Sequence, residues 1–153
     1  MNTAENKHRM IHNLKNSEEQ IIQTKQKLPV ISYVTAGAPQ TFEMPYTSYC
    51  DEHIEVPFEI KDPDAFALRI FGDSMYPKFL DGDYVIASPN QEPRNNQPVI
   101  AMINKNETTC KLFLEQKDHI CLSPINPEYR MIICNKKDVE WVFPIIGMYR
   151  KEF

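Results

Sequence analysis

From Ala65 onward the chain offers seven short β-prone runs and no helix-length segment between them. The runs are AFALRIF (65–71), DYVIAS (83–88), PVIAMI (98–103), TTCKLFL (108–114), DHICLS (118–123), RMIIC (130–134) and VEWVFPIIGMY (139–149). Polar or Pro-containing connections separate them. Strands this short bury a core only by pairing into a sheet that curls on itself. The expected fold is therefore mainly β: a strongly bent sheet or partial barrel of about seven short strands. At 153 residues the chain is long enough for one domain with its own core.

The first 28 residues read differently. Residues 4–27 contain no Pro or Gly and are rich in helix formers. Met10, Ile11, Leu14, Ile21 and Ile22 make only a thin apolar stripe, and a lone helix of this kind is marginal. The expectation is a short helical or disordered polar arm over 1–28. It is too short for a helix-turn-helix domain, so no direct DNA binding is expected of this chain. The arm carries a charge of +2 within a chain of net charge −4, which is not the balance of a nucleic-acid binder. Mean hydropathy is −0.48 and no run approaches the ~18 apolar residues of a membrane span. The N-terminus lacks the apolar stretch of a signal peptide, so a cytoplasmic protein with no membrane association is expected. Pro29 closes the arm, VISYV (30–34) is a further β-prone run, and residues 43–64 are Pro-punctuated and irregular.

Cys50, Cys110, Cys121 and Cys134 are scattered, with no C-x-x-C pair, and read as reduced thiols. His8 and His12 stand four apart on the arm, but zinc needs more ligands than that neighbourhood holds. Neither a metal nor another cofactor is expected.

Two features point to chemistry. The run FGDSMYP (71–77) leaves a strand and turns through Gly72, Asp73 and Ser74. Taken alone it is a turn, and a serine in a turn is ordinarily a spectator. In TTCKLFL, alternation places Thr109, Lys111 and Phe113 on one face and Cys110, Leu112 and Leu114 on the other. Both faces carry bulky apolar groups, which makes Lys111 a candidate for partial burial. A lysine stem lying on the sheet with its ammonium in water is the bland account. The functional account is an amine that desolvation leaves neutral and able to take a proton from a hydroxyl. A Ser-Lys pair of that kind replaces Ser-His-Asp in some hydrolases.

Gly-Asp-Ser-Met (72–75), then P-x-F-x-D-G-D (77–83), the lysine strand and N-P-x-Y within LSPINPEYRMIIC (122–134) come in a telling order. From about Leu28 to Phe153 the chain resembles the LexA/UmuD and phage-repressor family of self-cleaving serine peptidases. The resemblance implies that Ser74 is the nucleophile and Lys111 the general base. The backbone N–H groups of Ser74 and Asp73 would then hold the oxyanion. Asp73 otherwise reads as a turn former, Met75 as packing beneath the serine, and Asp81 and Asp83 as flanking a tight turn at Gly82.

The family also implies a substrate bond within the chain, between small residues. TAGAP supplies Ala36-Gly37, whose small side chains would let the carbonyl come within ~3 Å of the serine oxygen. The implied division is an arm at 1–28, a cleavage-site segment at 29–42 and a peptidase and dimerisation domain at 43–153. Implied partners are a second copy in a homodimer and a RecA–single-stranded DNA filament that favours the docked cleavage loop. An error-prone DNA polymerase or a full-length repressor is the downstream partner. Full repressors carry a DNA-binding head ahead of the linker, which 28 polar residues do not supply. A binding module that keeps the fold without cutting is the competing reading, against which Ser74, Lys111 and Ala36-Gly37 stand intact.

Overall fold

The computed structural model describes residues 3–22, 25–31, 52–105 and 107–151. The helix α1 spans Thr3–Ile22, and Met10 and Ile11 on it are exposed. Nine strands follow among the described residues: β1 (Gln26–Ile31), β2 (His53–Val56), β3 (Phe66–Arg69), β4 (Tyr84–Ala87), β5 (Pro98–Ile103), β6 (Glu107–Glu115), β7 (His119–Ser123), β8 (Ile132–Asn135) and β9 (Val139–Tyr149). They form one sheet in the order β2-β1-β3-β4-β9-β5-β6-β7-β8, antiparallel except for the β1–β3 pair. The mainly β fold expected from the seven runs is the observed one. No helix among the described residues is long and apolar enough to cross a membrane.

Strand β9 joins two parts of the sheet. Its first part pairs with β5, up to Pro144 opposite Val99, and its second part pairs with β4, from Ile145 opposite Ala87. One strand thus belongs to two halves of the sheet and changes partner at a buried proline. Pro144 has no N–H to give, and its carbonyl accepts instead from the Ser88 N–H at 3.0 Å.

Two strands extend the sheet beyond the seven runs. β2 lies within the segment expected to be irregular; its four residues alternate, with Ile54 and Val56 buried against β1. Four residues followed by a proline carry too little periodicity to be read from sequence. β1 starts at Gln26, three residues ahead of Pro29. It pairs with β2 over Gln26–Pro29 and with β3 over Val30 and Ile31, so the proline sits where the partner changes. Residues 32–51, including most of VISYV and both Ala36 and Gly37, lie outside the described residues.

Among the described residues three apolar clusters make up the core. The central one joins Phe66, Leu68, Ile70, Val85, Ala87, Ile100 and Ile145 to Met75 and Phe79 from the loop between β3 and β4. Cys110, Leu112 and Ile125 pack against it, as do Trp141 and Phe143, whose rings stack 4.4 Å apart. The loop carrying Ser74 is therefore anchored in the main core.

A second anchor of that loop is ionic. Asp83, 2% exposed, accepts two hydrogen bonds at 2.7 Å from the Arg150 guanidinium and one at 2.8 Å from the Leu80 N–H. The Arg150 hydrogen bonds hold its carboxyl below the usual range despite burial, which acts the other way. Arg150→Ala leaves a buried carboxylate unpaired. Because the arginine is itself 41% exposed and screened by solvent, the expected loss is only about 1–2 kcal/mol. A depressed carboxylate pKa means the contribution is complete above the unfolded value and lost as pH falls through the folded one. Urea unfolding should therefore separate variant from wild type at neutral pH and bring them together well below about pH 3.9. An equal gap at both pH values would remove the ionic explanation.

Candidate active site

Ser74 sits in the turn that the sequence predicted, and the turn's construction is now visible. Gly72 adopts φ +81° and Gly82 φ +89°, a region that residues with a side chain adopt only at a cost. The Asp81 carboxylate accepts from the Gly72 N–H at 2.7 Å, while the Gly82 N–H donates to the Ile70 carbonyl at 2.8 Å. The two aspartates of D-G-D thus close the loop, one through backbone and one through Arg150. Met75, 2% exposed, packs into the central apolar cluster.

Lys111 reaches this turn from the middle of β6, 37 residues later in sequence, and is 8% exposed. The expectation of partial burial understated the case, because Lys111 and Phe113 lie on the more deeply buried face of β6. The Lys111 Nζ lies within hydrogen-bond distance of three oxygens: Ser74 Oγ at 3.0 Å, Thr109 Oγ1 at 2.8 Å and the Cys110 carbonyl at 3.0 Å. Desolvation pushes its pKa down, opposed more weakly by the negative charge of Glu107. The neighbouring Cys110 thiol, on the opposite face of β6, is pushed up to about 12 by burial and stays protonated at neutral pH.

These contacts decide what a neutral amine would do. A neutral amine has two N–H bonds and one lone pair. The Cys110 carbonyl can only accept, and Thr109 Oγ1 accepts the second hydrogen. The lone pair is then left facing Ser74 Oγ, whose hydroxyl hydrogen can point back along the 3.0 Å line. The geometry suits proton removal from the serine.

One structural role was missed from sequence. The N-P-x-Y segment, noted only as a likeness, lies against the serine turn. The Ile125 and Asn126 N–H groups both donate to the Ser74 carbonyl, at 3.1 and 3.0 Å. Asn126 Nδ2 donates to the Asp73 carbonyl at 3.0 Å, and the Tyr129 hydroxyl donates to the Asp73 carboxylate. That hydrogen bond and the negative charge of Asp73 push the exposed Tyr129 hydroxyl's pKa up. Asp73 is thus tied down by its backbone and its side chain. An Asn-Pro pair signals a turn, but nothing in a sequence tells which distant loop a turn will face.

Among the described residues no group of three or more His, Cys, Asp or Glu side chains could hold a metal ion. His8 and His12 lie on α1.

The sequence profile of peptidase S24-like proteins matches residues 29–147, which span β1 to β9. The chain is 35% identical over 151 residues to the LexA repressor of Leptospira biflexa serovar Patoc, covering 97% of this chain and 71% of that protein. It is 38% identical over 127 residues to LexA repressor 2 of Geobacter sulfurreducens, covering 81% of this chain and 60% of the relative. A LexA repressor of a Geobacillus species is 36% identical over 126 residues, of which the match covers 58% of its length. A profile match across nearly the whole sheet, with relatives above one-third identity, makes this chain a member of the peptidase S24-like family.

Proposed function

We propose that this chain is a self-cleaving serine peptidase acting on its own Ala36–Gly37 bond. Ser74 serves as nucleophile and Lys111 as general base. The observation that carries the reading is the 3.0 Å approach of a buried lysine nitrogen to the serine oxygen. Neutral Lys111 takes the proton from Ser74 Oγ as that oxygen attacks the Ala36 carbonyl carbon. The oxyanion is held by the Ser74 and Asp73 N–H groups. As the carbon–nitrogen bond breaks, the Lys111 ammonium returns its proton to the Gly37 nitrogen. Residues 1–36 are then held on Ser74 as an ester, which water hydrolyses with Lys111 again as base. The products are residues 1–36 ending in a carboxylate and residues 37–153 beginning with an amine.

The division into an arm (1–28), a cleavage-site segment (29–42) and a peptidase and dimerisation domain (43–153) belongs to this reading. The protein works as a homodimer in a DNA-damage response, and its loop docks more often when a RecA–single-stranded DNA filament is bound. Such a shift needs only a modest difference in filament affinity between docked and undocked states. The processed form acts on an error-prone polymerase or on a full-length repressor. Incubating the purified chain at neutral pH with and without the filament tests this. The expected result is a fragment with the mass of residues 37–153 that forms faster with filament. A chain uncut both with filament and at alkaline pH would favour a dimerisation module that modulates a repressor without cutting.

A further inference from the structure

The loop that follows β7 does more than cover the serine turn. Asn126 is 8% exposed, and its side-chain amide has one possible orientation. The Asp73 carbonyl can only accept and the Glu128 N–H can only donate, so Nδ2 faces Asp73 (3.0 Å) and Oδ1 faces Glu128 (3.1 Å). Two successive carbonyls of the nucleophile turn, those of Asp73 and Ser74, are therefore gripped from one short loop 53 residues away. The Tyr76 N–H also donates to the Asp73 carbonyl at 3.0 Å, from within the turn. Met75 and Phe79 fix the turn by their place in the central core.

The consequence lies in the peptide plane. In a trans peptide the C=O and the following N–H point in opposite directions, and the Asp73–Ser74 bond is trans. Holding the Asp73 carbonyl toward Asn126 therefore aims the Ser74 N–H away from it. We propose that Asn126 is a positioning residue for the cleavage reaction, its amide fixing the Asp73–Ser74 peptide plane so that the Ser74 N–H meets the oxyanion. This rests on the reading of Ser74 as nucleophile. Tyr129, 45% exposed, ties the Asp73 side chain rather than the peptide and contributes less.

The test is the pH–rate profile of self-cleavage in the full chain, for wild type, Asn126→Ala and Asn126→Asp, with folding checked by circular dichroism. Asn126→Ala deletes the donor without adding charge. Its alkaline plateau should fall about 100-fold, the scale of a lost oxyanion donor. The midpoint should stay where Lys111 sets it, since Lys111 bonds to Ser74, Thr109 and Cys110 and not to this loop. Asn126→Asp keeps the acceptor for the Glu128 N–H, loses the donor and adds a negative charge beside the Asp73 carbonyl, so it should be at least as slow. Should the alanine variant unfold, the aspartate variant carries the same comparison. Tyr129→Phe should stay within about threefold of wild type, a difference of under 1 kcal/mol. A wild-type plateau in Asn126→Ala, or recovery of the rate by Asn126→Asp, overturns the proposal, the latter by showing that the acceptor mattered. Wild type that never cuts would instead remove the reading of Ser74 on which the proposal rests.

Discussion

Ser74→Ala is expected to leave the chain uncut under every condition that processes the wild type. In the proposed reaction the serine oxygen is the atom that bonds to the Ala36 carbonyl carbon, and among the described residues no other hydroxyl is placed to substitute for it. Thr109 Oγ1 is the other hydroxyl that Lys111 contacts, but it lies on the lysine's own strand and is 2.8 Å from Nζ as an acceptor. Removal of a nucleophilic serine in a triad enzyme costs on the order of 10⁶ in rate, and a comparable loss here puts product below detection. Stability should change little, because what is lost is one oxygen at a partly exposed position. Thermal unfolding monitored alongside intact mass separates the two effects.

Lys111→Ala is expected to cost about 10²–10⁴-fold at neutral pH, the range for loss of a positioned base. The wild-type profile carries the second half of this prediction. In the proposed mechanism cleavage needs the neutral amine, so its rate should rise with pH as Lys111 deprotonates and level off above its pKa. Burial pushes that pKa down, so the midpoint should fall below the ordinary lysine value of about 10.4. In the alanine variant any residual rate should lack this midpoint and follow hydroxide instead. A wild-type profile flat from neutral to alkaline pH, or a variant that retains the midpoint, would remove Lys111 from the role of base.

The parts legible in the sequence are those with local causes. Alternation in TTCKLFL put Lys111 among apolar neighbours, and its strand is β6 with the lysine facing inward. The turn residues of FGDSMYPKFLDGD marked a loop, and both glycines take the conformation that favours glycine. Other features depend on distant partners. Asp83 looked like a turn residue, yet it is anchored by Arg150, 67 residues away. Asn126 and Tyr129 carried a family likeness only, and their grip on Asp73 arises because β6 and β7 fold the following loop back over the turn. β9 read as one strand, but its sharing between β4 and β5 is a property of the assembled sheet.

The deciding experiment is the intact mass of the wild-type chain after incubation at about pH 10, where more of Lys111, its pKa lowered by burial, is neutral than at pH 7. Ser74→Ala treated in parallel is the control. Conversion of the wild type alone to residues 1–36 and 37–153 is the predicted result. Equal conversion of both chains, or cleavage at another bond, would contradict the account.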